Sequence, residues 1–261
     1  MAKFAPVCPI WLARKLAALD LLGDYHLLLA HDIVKNQKGY DEVFGLGFRQ
    51  RNPQGSFIIL DNSMIELGHP ASDDTIDRAC QIVQPDVVVL PDYAHDSEKT
   101  VSESVLAYNR WHRSMITSGF MAVAQGNTLE EYVKCALSLI EMRLVTHIGI
   151  PRNAVSKLHS RFQLIQAVRE STMNHPRPQI HLLGFSEDVL DDVTCASLPF
   201  VKGIDSTTPL RAGLDNMWMT SPFSYEEFTS PRGNYWDEEK PVTTALIQNL
   251  QRMRTWLEIP N

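Results

Sequence analysis

Eight short runs of Val, Ile, Leu and Phe recur along the chain, and their rhythm constrains the fold more than any other feature. They are Phe4–Val7, His26–Ala30, Phe57–Leu60, Val87–Leu90, Met121–Ala124, His147–Ile150, Ile180–Leu183 and Val201–Ile204. Each is largely apolar along its length instead of alternating, the pattern of a strand buried on both faces of a parallel sheet. Between most of them lie amphipathic stretches of helical length, among them Leu12–Leu22, Asp73–Val83, Leu129–Met142, Val155–Val168 and Glu187–Ala196. Ser72-Asp73-Asp74 marks one helix start, and Thr128-Leu129-Glu130-Glu131 has the capping-box spacing. Ser186-Glu187-Asp188 places acids in a first turn, where the helix dipole favours them. The polar, glycine-containing segment Val34–Gly55 reads as a loop or insertion, and Thr243–Leu257 as a closing helix.

Strands alternating with helices eight times predict an α/β fold of the (β/α)8, or TIM-barrel, type, with sites at the C-terminal ends of the strands. A doubly wound open sheet is the second option, but no GxGxxG follows the first strand to support a dinucleotide site. With 261 residues, 44% of them hydrophobic, and no linker-like shift in composition, one domain over residues 1–261 is expected.

Each strand runs into polar or special residues: Cys8, His31-Asp32, Asp61-Asn62-Ser63, Asp92-Tyr93, Gln125-Gly126-Asn127, Pro151-Arg152, Gly184-Phe185 and Asp205-Ser206. Turns are polar anyway, so no single position decides much. Asp61, Asp92 and Asp205 together are more telling, because all three follow runs that should be fully buried. Asp205 also opens Asp205-Ser206-Thr207-Thr208-Pro209-Leu210-Arg211, a setting that suits covalent chemistry.

Three aspartates and a glutamine have two natural uses. One is a hard-metal site, for which His31-Asp32 would add donors. His147 and His181 lie near the starts of their strands and read as structural. The other is exchange at a glycosidic carbon. There one carboxylate attacks or stabilises the sugar C1′, while another manages protons on the leaving and entering base. Asp92, Gln125 and Gly149 fall where the edge of a purine could be read by complementary donors and acceptors.

From Pro6 to about Gly213 the sequence resembles the tRNA-guanine transglycosylase superfamily. Asp205, Pro209 and Arg211 have the spacing of that family's nucleophile motif, and Leu182-Leu183-Gly184 is similar to its Leu-Met-Gly segment. Asp61-Asn62-Ser63 stands in the place of Asp-Ser-Gly-Gly, Pro91-Asp92 resembles the base-binding aspartate, and Ala124-Gln125-Gly126 resembles Val-Gln-Gly-Gly. Ile148-Gly149 matches the base-contacting glycine, and Tyr25-His26-Leu27 an early Tyr-His-Leu. The resemblance implies Asp205 as nucleophile and Asp61 as general acid/base. Asp92, Gln125, Gly149, Ser63, Leu183 and Arg211 would bind substrate, with Arg211 either holding phosphate or orienting Asp205.

The chain also departs from the family. Ala212–Asn261 contains no cysteine or histidine where the zinc ligands of the family should lie, so no metal or cofactor is expected. Ile65 stands where an aromatic residue would stack on the base, and Leu183 where a methionine would. A short, zinc-free chain is most similar to the phage-type DNA transglycosylases, which exchange guanine for a 7-deazaguanine such as preQ0. DNA is therefore expected as partner over tRNA, reached by flipping the nucleotide if duplex.

The formal charge of −7 argues against a protein that coats nucleic acid, though a local basic patch would serve an enzyme. Lys35, Lys38, Arg49 and Arg51, interleaved with Tyr40, Phe44 and Phe48, have the make-up of a single-strand platform, or of a lid packed on the barrel. Arg152, with Lys157 and Arg161, offers a second phosphate contact, and Ser230–Trp236 either a DNA-contacting loop or a packed crossover. A homo-oligomer or accessory protein is a further expected partner type. The opening residues lack a signal-peptide core, and Cys8, Cys80, Cys135 and Cys195 form no CxxC pair, so a cytoplasmic protein is expected, in the host cytoplasm if phage-encoded. The competing readings are a metal-dependent hydrolase, a hydrolytic glycosylase and a non-catalytic barrel that binds modified nucleic acid.

Overall fold

The computed structural model describes residues 2–45, 56–113, 119–172, 178–186, 188–219 and 235–258. Its strands are β1 (Lys3–Pro6), β2 (Tyr25–Leu29), β3 (Phe57–Asp61), β4 (Val87–Val89), β5 (Gly119–Val123), β6 (Val145–Pro151), β7 (Gln179–Leu183) and β8 (Val201–Ser206). All pairings are parallel, in the order β1-β8-β7-β6-β5-β4-β3-β2. β1 and β2 adjoin without a ladder, so the sheet is a nearly closed (β/α)8 barrel in one domain. Every predicted strand is present, shifted at its ends by at most two residues.

The strands are apolar throughout because they have two interiors to fill. Ala5, Val7, Leu27, Leu29, Ile59, Val87, Val89, Met121 and Val123 point into the barrel. Their neighbours Phe4, Leu28, Ile58, Leu60, Phe120, Ile148 and Ile204 point outward to the helices. Burying each Leu, Ile or Phe contributes roughly 1.5–3 kcal/mol, so both layers hold the strands in register.

The helix signals were mostly sound. Ser72 accepts from the N–H of Thr75, and Thr128 from that of Glu131, at the starts of helices Asp73–Val83 and Leu129–Ile140. Three expectations need correction. The stretch Val155–Val168 is two helices, Ala154–Leu158 and Arg161–Ser171, because His159 turns left-handed at φ 60° and Ser160 caps the second. Asp188 is the N-cap of Val189–Ala196, accepting from the N–H of Asp191, instead of a first-turn acid. Residues 34–44 are not a loop but belong to helices Ala30–Lys35 and Gln37–Phe44, joined at Asn36, and 46–55 fall outside the described residues. The closing helix runs Thr244–Glu258. No helix among the described residues is long and apolar enough to cross a membrane.

Candidate active site

The polar residues gather at the C-terminal mouth of the barrel, in two groups. On the β7–β8 side, Asp205 is 9% exposed near the end of β8. Its Oδ1 accepts from His181 Nε2 (3.0 Å) and from the Gly184 N–H (3.1 Å). Gly184 can aim its N–H this way because it adopts φ 72°, a conformation a side chain would strain. Behind it, fully buried Arg161 pairs with Asp192 and donates to the carbonyls of Ile150 (3.2 Å) and Gly184 (2.9 Å). That pair fixes the turn after β7.

On the β3–β5 side, Asp61 ends β3 and accepts the Ser63 N–H at 2.7 Å. Burial pushes its pKa well above the usual carboxylate range, helped by the negative charge of Glu66 and then of Asp92 and Asp205, and opposed by the Ser63 N–H. That setting favours the protonated form of Asp61. Asp92 accepts from Asn62 Nδ2 (3.0 Å) and Gln125 Nε2 (2.8 Å). Burial raises its pKa too, while these two amides act the other way. Asn62 also donates to the Leu90 carbonyl (2.8 Å) and accepts the Met64 N–H (2.9 Å). The Gln125 oxygen accepts the His95 N–H at 3.2 Å, so its amide is locked with nitrogen towards Asp92.

Gly149 and Leu183 line the interior between the two groups. A Cβ on Gly149 would lie 2.7 Å from Leu183 Cδ1, so the glycine makes room for that side chain. Ile65, expected beside the base, is 68% exposed on the short helix Met64–Leu67 that follows Asp61.

Several expected roles do not survive. The Ser63 hydroxyl is wholly buried and accepts from the His31 N–H at 3.3 Å, so the residue serves Asp61 through its backbone and offers substrate no side chain. Tyr40 and Phe44 are buried, with the Tyr40 hydroxyl donating to Asp32 (2.5 Å), so they are no stacking platform. Arg161 is likewise no phosphate contact. Lys35 pairs with Asp237 at 3.0 Å, and with Lys38 and Arg14 it lines a cleft of about 540 Å³ beside helix Ile10–Ala18. Arg152 is exposed with its side chain against Gly184, whose N–H donates to Asp205. Arg211 sits on helix Thr208–Leu214, where its charge lowers the pKa of Tyr235, a group that burial raises overall. Arg49, Arg51 and Phe48 lie outside the described residues, as does most of Ser230–Trp236. The described end of that segment is a packed crossover: Tyr235 donates to the Val7 carbonyl (2.8 Å), and Trp236 packs against the barrel interior.

The main residue that sequence reasoning missed is His181. It was assigned to the wrong end of its strand, yet it lies two residues before the end of β7 and points inward. Strand parity relative to Leu183 was the available signal. Asn62 was seen but given no role. Among the described residues no group of three His, Cys, Asp or Glu side chains is placed to hold a metal ion. His31 and Asp32 do not join the aspartates, since Asp32 is turned to Tyr40 and Asn36. A scan against protein-family models found none that matches the chain, and a search of curated proteins found no significant match.

Proposed function

We propose that the chain is a base-exchange transglycosylase that replaces guanine in nucleic acid, with DNA favoured, by a 7-deazaguanine. The observation that carries this reading is the division of labour between the two aspartates. Asp205 has one oxygen held by two N–H donors and the other without a partner among the described residues, while Asp61 sits where burial and neighbouring carboxylates favour its protonated form.

In the reaction, Asp205 Oδ2 forms a bond to the sugar C1′ as the C1′–N bond to guanine breaks. The bond's electron pair leaves with the base, which takes a proton from Asp61. The entering base then gives a proton back to Asp61, and its nitrogen attacks C1′ and displaces the Asp205 carboxylate. No net proton or redox partner is needed.

Recognition follows from the locked pair. Asp92 accepts, as the ring and exocyclic N–H groups of guanine require. Gln125 has a second Nε2 hydrogen for the base carbonyl. An adenine edge would face the wrong donors and acceptors and leave buried groups unpaired. The choice of DNA rests on the sequence, which lacks the zinc ligands beyond Ala212.

The test uses labelled guanine in DNA and in tRNA, each with preQ0. The expected result is label released from DNA, preQ0 incorporated and a trappable protein–DNA adduct. Release that leaves abasic sites would assign a hydrolytic glycosylase instead, and release that depends on added metal would favour the hydrolase.

A further inference from the structure

We propose that Tyr25 and His181 form a buried relay that saturates one oxygen of Asp205 and leaves the other for attack, making both of them positioning residues. The role rests on the reading of Asp205 as nucleophile. The geometry is continuous across three strands: the Tyr25 hydroxyl lies 2.9 Å from His181 Nδ1, and His181 Nε2 lies 3.0 Å from Asp205 Oδ1. A carboxylate only accepts, so Nε2 must carry the hydrogen. A neutral ring then has a lone pair on Nδ1, which the Tyr25 hydroxyl fills. Without that hydroxyl the proton would be free to move to Nδ1, and Asp205 would face a lone pair.

The relay is built in. The Tyr25 ring stacks on Phe57 with centroids 5.4 Å apart and planes 5° from parallel. Its other side occupies the space that Gly203 leaves, where a Cβ would lie 2.2 Å from Tyr25 Cε1. Gly203 is two residues before Asp205 on the same strand, so the glycine that admits the tyrosine and the carboxylate it serves share one face of β8. Burial, with the Asp205 charge, also pushes the Tyr25 pKa upward, which keeps the hydroxyl a donor.

The test is a double-mutant cycle on Tyr25→Phe and His181→Gln. Glutamine can donate from Nε2 with no tautomer to set. The prediction is that Tyr25→Phe slows single-turnover adduct formation on guanine-containing DNA roughly tenfold in the wild-type background, with DNA affinity unchanged. In the His181→Gln background it should have no further effect. Equal losses in both backgrounds, or no loss in the wild type, would overturn the relay, since a packing role acts whichever side chain stands at 181. Nitrogen-15 NMR of labelled histidines gives an independent readout, with His181 assigned as the signal lost in His181→Gln. The wild type should show the Nε2–H tautomer, and Tyr25→Phe a mixture. An Nδ1–H wild type, or no change in the variant, would also overturn it. If the wild type makes no adduct with DNA or tRNA, the base-exchange reading falls while the tautomer still decides the relay.

Discussion

On the β7–β8 side of the mouth Asp205 receives two N–H bonds on one oxygen, whereas on the β3–β5 side Asp61 receives one and sits within reach of three other carboxylates. The same side chain thus meets two environments about one opening. Hydrogen bonds favour a charged carboxylate, while burial among like charges favours a protonated one. Under the proposed reading the first environment suits a nucleophile and the second a general acid. The barrel supplies both because β3 and β8 are not neighbours and each aspartate meets a different following turn.

The comparison breaks most completely at Asp205. Asp205→Asn keeps the shape but removes the attacking charge, and should lower adduct formation by roughly a thousandfold or more, about 4 kcal/mol in barrier. Single-turnover assays check this, with thermal melting to show that the fold is retained. Full exchange activity in that variant would sink the assignment.

The support behind Asp205 is next. Arg161→Met leaves Asp192 buried without its partner and frees the Gly184 carbonyl, so a stability loss of about 3–5 kcal/mol is expected in urea unfolding. A loss below about 1 kcal/mol would mean that the turn after β7 is held by other contacts.

The Asp61 side is probed by pH. Its raised pKa means the folded state binds a proton that the unfolded chain releases from about 3.8 upward. Wild-type stability should therefore fall as pH rises from that value to the folded pKa, by at most about 1.4 kcal/mol per pH unit. Asp61→Asn should be more stable than wild type at neutral pH, with the gain vanishing as pH drops towards 4. Urea titrations at several pH values decide it, and a gain independent of pH would refute the raised pKa. On the same side, Gln125→Ala should raise KM for the entering base about tenfold and leave the maximal exchange rate less affected, in a base-titration assay. Smallest is Arg152→Ala, which should weaken DNA binding a few-fold and reduce the salt slope by about one, read by fluorescence anisotropy across salt concentrations.

Much of this was legible in the sequence. Val87-Val88-Val89 or Phe57-Ile58-Ile59-Leu60 can hardly be anything but a strand with two buried faces, and Asp61, Asp92 and Asp205 come within two residues of the ends of such runs. The capped helix Asp73–Val83 was placed to the residue, and the start of Leu129–Ile140 likewise. The basic, aromatic stretch after β2 left two readings open, a single-strand platform or a packed lid, because composition does not say which face of a helix carries the rings; the packed reading fits Tyr40 and Phe44. Tyr40 and Phe44 are four apart, so they share one face and bury it.

The sequence by itself determined the barrel and the carboxylates at its mouth, because apolar periodicity and residue order are local properties that neighbouring residues enforce. Only the tertiary structure decided what each carboxylate experiences. Tyr25 and His181 are 156 positions apart, and they meet only because β2, β7 and β8 project into one interior that Gly203 leaves open. The rise in the Asp61 pKa comes first from burial inside the folded barrel and then from Glu66, with Asp92 and Asp205 adding to it from across the mouth. Such distances across a closed sheet are set by register and packing, which no run of neighbouring residues encodes.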